Sequence, residues 1–217
     1  RSDTDTDTDT DTDTDTDTDT DADTIQDIQN GTIAAGSEVS VNGVVTGASK
    51  YGFYLGDSKG GQYSGIWVYA GTDWAVTYPD VVRGADVTVE GETEEFDKGG
   101  AWKDTLSEIN ASGGTVTYVG KGTQPAPSKV GIKDVQPSSA EPYEGVLITV
   151  KGPFTVSDTE LGYGEWEVTD GTLSFRIDDS VYNFLDDAKV ANGGTIDSVT
   201  GILDYNYDNW KVCPREE

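Results

Sequence analysis

The residues best suited to chemistry form a repeat at the start of the chain. Asp and Thr alternate from Asp3 to Thr20, and the pairs Asp21-Ala22 and Asp23-Thr24 close the run. In an extended chain, successive side chains point to opposite faces, so the Thr hydroxyls form one row and the Asp carboxylates form the other. A row of hydroxyls suits O-linked sugar. We predict glycosylation at the threonines of this repeat: Thr4, Thr6, Thr8, Thr10, Thr12, Thr14, Thr16, Thr18, Thr20 and Thr24.

The repeat as a whole allows two interpretations. Like charges along the Asp row repel and extend the chain, and dense glycosylation would stiffen it further. On this interpretation residues 1–24 form a rigid, glycan-coated stem, in which the repeat from Asp3 to Thr24 spans about 70 Å. On the other they form a flexible, solvated acidic linker, which is the usual meaning of a charge run. The Asp row also suits Ca²⁺, which takes several oxygen ligands. We expect no cofactor other than covalent glycans, with calcium as an open alternative.

The ratio of acidic to basic residues restricts the classes of partner that the chain is expected to bind. Lys and Arg number 14 against 41 Asp and Glu, and the formal net charge is -27. Nucleic-acid binding requires basic residues that neutralise phosphates, and an anionic membrane surface attracts the same residues, so we expect neither partner. The sequence also has no apolar stretch of about 18 residues, which predicts no membrane insertion. We expect a secreted protein in the extracellular space or at the cell surface.

The residue types present restrict catalysis. The chain has no His, which removes imidazole acid-base chemistry, Ser-His-Asp triads and most transition-metal sites. Cys213 is the single cysteine, so no disulfide can form within the chain. Carboxylate pairs are numerous, but no pair is marked as that of a glycosidase. We predict no enzyme activity, no catalytic residue and no dedicated metal site.

From Ile25 onward the sequence is typical of an all-β fold. Runs rich in Val, Ile, Thr and Tyr are separated by Gly, Asp, Asn and Ser, as in antiparallel strands joined by turns. The sequence also predicts short helices at Ala70–Tyr78 and Val181–Ala188. The predicted strands are Val39–Val45, Gly52–Leu55, Gly65–Tyr69, Asp86–Glu90, Thr115–Val119, Val146–Lys151, Glu165–Thr169, Thr172–Ile177 and Ile196–Tyr205.

The two halves of this region look like copies. Thr24–Gln29 opens the first and Gly131–Gln136 opens the second, and each half has a Tyr-Gly pair that begins a hairpin, at Tyr51 and Tyr163. The runs Thr-Ile-x-Asp-Ile-Gln, Tyr-Gly-Phe-Tyr-Leu and Gly-Ala-Asp-Val-Thr-Val-Glu-Gly resemble OB-fold modules of secreted and cell-surface bacterial proteins. The resemblance implies two small five-stranded Greek-key barrels in tandem, residues 25–122 and 131–217, joined by a linker at 123–130. The extended, non-globular stem of residues 1–24 precedes them.

Two functions follow from this organisation. The first is a structural subunit of a secreted, O-glycosylated extracellular fibre or surface assembly. Copies of the chain would polymerise head to tail into a helical or linear polymer, because a heterologous contact that does not close makes a filament. The alternative is a surface-displayed carbohydrate- or ligand-binding OB module on a passive acidic spacer, which a row of aromatic residues on strands 2 and 3 would favour. We expect Trp67 to point into the first barrel and Trp74 and Trp102 to be exposed.

Overall fold

Five strands close the first domain into a barrel. The computed structural model describes residues 22–181 and 190–215. The barrel order is β1-β2-β3-β5-β4, with β3 and β5 parallel, which is compatible with an OB-like module. These strands are β1 (Glu38–Ser49), β2 (Gly52–Gly56), β3 (Gly65–Tyr69), β4 (Ala85–Phe96) and β5 (Leu106–Lys121).

In the first half of β1, side chains that face the barrel core alternate with side chains that face water. Val39 and Val41 are buried in the core, whereas Glu38, Ser40 and Asn42 between them are exposed. Helix α1 (Ile25–Gln29) adds two isoleucines to the same core, and helix α2 (Trp74–Thr77) adds a tryptophan. The apolar face of each element is thereby removed from water, which is the main stabilising contribution in a domain of this size.

The second domain repeats the strand order of the first. Its six-stranded sheet has the order β10-β11-β9-β8-β7-β6, and β10 also pairs with β7. The cycle β7-β8-β9-β11-β10 therefore corresponds to β1-β2-β3-β5-β4, and β9 and β11 are parallel as β3 and β5 are. The strands are β6 (Ser128–Val130), β7 (Leu147–Gly162), β8 (Glu165–Thr169), β9 (Ser174–Ile177), β10 (Thr195–Asn206) and β11 (Asn209–Pro214); short 3-10 helices lie at Ile132–Val135 and Glu141–Tyr143.

The all-β class and the positions of the predicted strands are confirmed, but several elements differ in length. The predicted strand Thr115–Val119 is only the second half of β5, because Leu106–Glu108 is covered on both faces and shows no alternation. β11 was not among the predicted strands. The predicted helix Ala70–Tyr78 shortens to α2, and the predicted helix Val181–Ala188 lies outside the described residues except for its first position.

The predicted linker, stem and second barrel can each be compared with the structure. The predicted linker 123–130 contains β6, which pairs in parallel with β7, so this segment belongs in part to the second sheet. Residues 1–21 of the predicted stem lie outside the described residues, and its extended form stays a prediction. The second sheet has six strands, five of which form a cycle through the β7–β10 pairing, and its assignment as a second OB-like barrel stays a prediction.

The two domains pack closely against each other. An apolar cluster joins Tyr54, Trp67 and Leu106 of the first domain to Leu147 and Ile202 of the second. The backbones touch beside this cluster, at Gly65 and Gly145. A Cβ on Gly65 would lie 2.1 Å from the carbonyl oxygen of Gly145, so a side chain at this position would push the domains apart. This contact holds the outward face of β2 and β3 against the second domain.

Candidate aromatic pocket between the domains

A pocket of about 490 Å³ lies where the outward face of the first barrel meets the β10–β11 hairpin. Its floor comes from β2, β3, β4 and β5, and its far wall comes from the second domain. The lining residues are Ser49, Tyr51, Tyr54, Trp67, Tyr69, Glu94, Phe96, Lys98, Trp102, Leu106, Glu108, Asn110, Ser180, Asp204, Asn206 and Tyr207. Concave, largely apolar surfaces with a few polar groups are typical of ligand sites.

Strand alternation places aromatic rings on the floor of this pocket. Phe53, Leu55, Ile66 and Val68 are fully buried in the barrel core. Their neighbours on β2 and β3 therefore point outward, among them Tyr54, whose ring centroid lies 4.7 Å from that of its cross-strand partner, a tryptophan. The residues on this outward face are Tyr54, Trp67 and Tyr69.

Trp102 forms one wall of the pocket, on the loop between β4 and β5. Its ring lies edge-on to Phe96 at 5.2 Å and to Tyr205 at 5.9 Å, so it bridges the two domains. Backbone N–H groups of the same loop reach the second domain. Lys103 donates to Asp208 Oδ1 at 2.7 Å, and Asp104 donates to the Tyr205 hydroxyl at 3.1 Å. The loop is thereby fixed over the aromatic floor.

Tyr207 lies beside Trp102 on the turn between β10 and β11. It and Asp208 connect β10 to β11, and both have positive φ angles, 51° and 63°. A two-residue hairpin turn of this kind requires positive φ at both positions, and this left-handed conformation is costly for a bulky residue such as Tyr. The Tyr207 ring lies 5.7 Å from that of Trp102, and Lys98 Nζ lies 4.5 Å from its centroid. The turn therefore presents one ring to another and to an ammonium group.

Two carboxyl groups stand side by side on the floor. Glu94 on β4 is the direct cross-strand partner of Glu108 on β5. Glu94 accepts a weak hydrogen bond from Asn110 at 3.4 Å. Glu108 is only 5% exposed, and burial, followed by the charge of Glu94, raises its pKa to about 8. Within residues 22–181 and 190–215, the Glu108 carboxyl has no hydrogen bond and no paired cation.

A third carboxyl, Asp204 on β10, differs in being paired. Burial raises its pKa to about 6, whereas the charge of Lys211 and a hydrogen bond from the Tyr54 hydroxyl act in the opposite direction. The same hydrogen bond crosses from the first domain to the second. Burial and the charge of Asp204 in turn raise the pKa of Tyr54 well above its usual value, so this hydroxyl stays a donor.

Behind the pocket, the second domain holds a buried ion-pair network. Lys211 Nζ lies 2.5 Å from Glu165 Oε1 and 3.0 Å from Asp178 Oδ2, and Arg176 Nη1 lies 2.7 Å from Glu165 Oε2. Burial alone would lower the pKa of Lys211, but the hydrogen bonds and charges of its two carboxylate partners outweigh burial and raise it. The ammonium group therefore stays charged within the network.

The structure places the predicted sites as follows. Thr4 to Thr20 lie outside the described residues. Thr24 is exposed and is the N-cap of α1, where it accepts a hydrogen bond from the backbone N–H of Asp27 at 3.1 Å and donates one to the carboxylate at 2.6 Å. In the described part of the chain, no group of three or more His, Cys, Asp or Glu residues is arranged to hold a metal ion.

The predictions for individual tryptophans need correction. Trp67 points out of the barrel and into the domain contact, because its neighbours on β3 fill the core. Trp74 is buried rather than exposed, and its indole N–H donates to the carbonyl of Ser49 at 3.1 Å. Trp102 is partly exposed and lines the pocket. The pocket could have been anticipated from the period of the strands, because every second residue of β2 and β3, including Tyr54 and Trp67, faces away from the barrel core.

Comparisons with known proteins add no further assignment to this chain. A scan against protein-family models finds no match, and a search of curated proteins finds none either. Among the described residues, no helix has both the length and the apolar character needed to cross a membrane.

Proposed function

We propose that this chain is a structural subunit of a secreted, O-glycosylated extracellular fibre or surface assembly. The observation that carries the proposal is the Asp-Thr repeat, a long row of hydroxyls attached to a body of two tightly packed β-domains. The repeat contains no apolar side chain larger than that of Ala22, so it cannot fold by burying its own surface. Sugar on its threonines and contact with other copies are the means by which it becomes a rigid stem.

The junction between stem and body supports this arrangement. The carboxylate of Asp23, in the last pair of the repeat, accepts a hydrogen bond from the backbone N–H of Ser40 on β1 at 2.9 Å. Thr24 then caps α1, which is packed into the barrel through its two isoleucines. The last pair of the repeat, Asp23 and Thr24, is therefore attached directly to the barrel.

An edge of the first barrel offers a place for a neighbouring copy. Residues 38–43 of β1 pair with β4 on one side, and β2 begins to pair with β1 only at Val44. On its other side, the described part of this segment is held only by the Asp23 carboxylate at Ser40. An edge with free N–H and C=O groups is a template for an added strand. A strand from the next copy that adds here makes a heterologous contact, and this contact propagates into a filament.

The proposal is tested by intact mass and by the state of assembly of the native chain. Fragmentation of the peptide spanning residues 1–24 should show excess mass in hexose-like steps on several threonines. Sedimentation and electron microscopy of the same material should show polymers. A bare mass of about 23.1 kDa together with a stable monomer would overturn the proposal.

Variants at the β1 edge test the route of assembly. Ser40→Lys places a charged side chain on the free edge and is expected to reduce polymer formation at least tenfold, because edge lysines block strand addition. Thr88→Lys, on the neighbouring and fully paired β4, is the matched control and should assemble normally. Equal assembly by both variants would show that the contact lies elsewhere on the chain.

A second candidate function rests on the pocket. Aromatic side chains on strands β2 and β3 are the feature expected of a carbohydrate- or ligand-binding OB module, and here they floor a pocket of about 490 Å³. Rings that stack on sugar faces stand beside the amides of Asn110 and Asn206, which can hydrogen-bond hydroxyls. Glycan-array binding by the full chain, lost in Trp102→Ala, supports this candidate. No binding to glycans or to small organic ligands would remove it.

A further inference from the structure

The electrostatics of the pocket point to the charge of its ligand. Three carboxyl groups line it, from Glu94, Glu108 and Asp204, against one ammonium group, from Lys98. Asp204 is hydrogen-bonded by Tyr54 and lies near Lys211, so its charge is balanced from behind. The Glu94–Glu108 pair has no such balance, since the three ion pairs among the described residues all belong to the network around Lys211 and Arg176. A cation brought by a ligand would supply the missing charge.

Glu108 provides the second observation. Glu108 is 5% exposed and lines the pocket, and no hydrogen bond or ion pair joins its carboxyl to another described residue. Among the described residues, the enclosed side-chain oxygens without a hydrogen bond are Gln29 Oε1 and Glu144 Oε2, so the Glu108 carboxyl opens into the pocket, where a ligand can reach it. The position faces the aromatic floor, because Glu108 is the direct neighbour of Trp67 on β3.

The aromatic rings around this carboxyl pair suit the same ligand. The face of an aromatic ring attracts a cation, and cages of Trp and Tyr are a common means of binding quaternary and protonated amines. The described residues show such contacts at the pocket itself, since Lys98 Nζ lies 4.5 Å and Lys211 Nζ lies 5.9 Å from the centroid of the Tyr207 ring. The net charge of -27 further concentrates cations near the pocket.

We propose that the pocket binds a small organic ammonium ion, with its positive nitrogen placed between the Glu94–Glu108 pair and the rings of Trp67 and Trp102. The inference rests on the ligand-binding candidate and names its ligand class, and it is independent of the fibre proposal. Both an amino sugar and a choline-like amine carry this chemistry. Sugar hydroxyls would add hydrogen bonds to the Asn110 and Asn206 amides, so the two sources are separated by experiment.

The decisive experiment compares two probes of the same shape and different charge. Choline has a permanent positive charge, and 3,3-dimethylbutan-1-ol is its neutral isostere. Calorimetric titration of the full chain should show at least tenfold tighter binding of choline. Equal affinity for the two probes would overturn the inference while leaving the ligand-binding candidate in place. If neither these probes nor any glycan binds, the ligand-binding candidate fails as well.

Substitution of Glu108 tests the residue itself. Glu108→Gln keeps the size of the side chain and removes its charge, so it is expected to weaken choline binding at least tenfold and to leave binding of the neutral isostere unchanged. Glu90→Gln on the exposed face of β4 is the matched control and should bind as the unchanged chain does. Unfolding curves for both variants verify that each is folded. Unchanged choline binding by Glu108→Gln would contradict the proposal.

The pH dependence gives an independent readout. Because choline does not titrate, a site that needs ionised Glu108 should bind it about five- to tenfold more tightly at pH 9 than at pH 7. Glu108→Gln should lose this dependence, and persistence of the same dependence in the variant would overturn the role of Glu108. The other titratable groups that face the pocket are Glu94, Lys98, Asp204, Tyr51, Tyr54, Tyr69 and Tyr207.

The source of the amine is resolved by a second pair of probes. Glucosamine should bind more tightly than glucose, because only the first carries an ammonium group. If glucosamine also binds more tightly than choline, the sugar ring contributes and the ligand is an amino sugar. If choline binds more tightly, the rings recognise a bulky quaternary amine. If glucose binds as well as glucosamine, the site does not select for positive charge, which contradicts the proposal.

Discussion

The two domains share a strand order but use the same outward row of residues in opposite ways. In the first domain the registers join Tyr54, Trp67, Glu108 and Glu94 across β2, β3, β5 and β4. In the second domain the corresponding row, across β8, β9, β11 and β10, is Glu167, Arg176, Lys211 and Asp204. One row is aromatic and acidic, and the other places two basic residues between two acidic ones.

The two rows differ in whether their buried charged groups are paired within the fold or are accessible from the pocket. In the second domain the buried Lys211 ammonium has two carboxylate partners within 3.0 Å. At the corresponding position of the first domain stands Glu108, whose carboxyl has no described partner. The chain can evidently pair buried charges within this fold. In the first domain, by contrast, the carboxyl at this position faces the pocket instead of a basic side chain.

Removal of the cation from the paired row should give the largest effect. Lys211→Met keeps the length of the side chain but leaves Glu165 and Asp178 without their ammonium partner. We expect it to lower the free energy of unfolding by about 3–5 kcal/mol, because the variant contains uncompensated buried charge. Urea unfolding measures the loss. The control is Lys129→Met, at an exposed lysine of β6, which should change stability by less than about 0.5 kcal/mol.

If Lys211→Met lowers the free energy of unfolding no more than Lys129→Met does, the ion-pair network does not stabilise the fold. The paired charges of the second domain would then not differ in energy from the unpaired carboxyl of the first.

The unpaired row should respond to pH in the opposite manner. The pKa of Glu108 is raised from 4.5 to about 8 in the folded chain, so the folded state binds the proton more tightly. Its favourable contribution to stability is complete below pH 4.5 and is lost as the pH rises through about 8. Glu108→Gln should therefore leave the free energy of unfolding unchanged at pH 4 and raise it by about 2–4 kcal/mol at pH 9. This range lies below the free energy that the full pKa shift corresponds to. Thermal or urea unfolding at both pH values checks this.

The control for this effect is Glu90→Gln, which removes an exposed carboxylate from the neighbouring strand. It should show no comparable gain at pH 9. A gain from Glu108→Gln that is the same at both pH values would mean that the carboxyl is not buried in its neutral form, and the two rows would then differ less than the structure indicates.

The sequence predicted the strands better than it predicted what their outward faces do. Val39-Ser40-Val41 alternates because one face meets the core and the other meets water, and this pattern is visible without a structure. Trp67 sits in a run of apolar residues, so the sequence alone does not reveal that its face is covered by another domain. Glu108 and Lys211 lie far apart in the chain. Their correspondence follows only from the registers of two separate sheets.

The smallest effect concerns two strained tyrosines, one in each domain. Tyr163 and Tyr207 both have positive φ angles, 57° and 51°, but Tyr163 is 99% exposed, whereas Tyr207 packs against Trp102. Asn tolerates this conformation, so Tyr163→Asn should stabilise the chain by about 0.5–1 kcal/mol. Tyr207→Asn gains the same relief and loses its ring contacts, so its net effect on stability should be close to zero.

Ligand binding then separates the two turns. Tyr207→Asn should weaken choline binding severalfold because a wall of the pocket is lost, whereas Tyr163→Asn should leave binding unchanged. Unfolding curves and calorimetric titration of the two variants measure both quantities on the same protein. If both variants are equally stabilised and bind alike, the Tyr207 ring contributes nothing to the pocket, and its strain has no functional counterpart. If only Tyr207→Asn loses affinity, the Tyr207 ring contributes to ligand binding in addition to forming the β10–β11 turn.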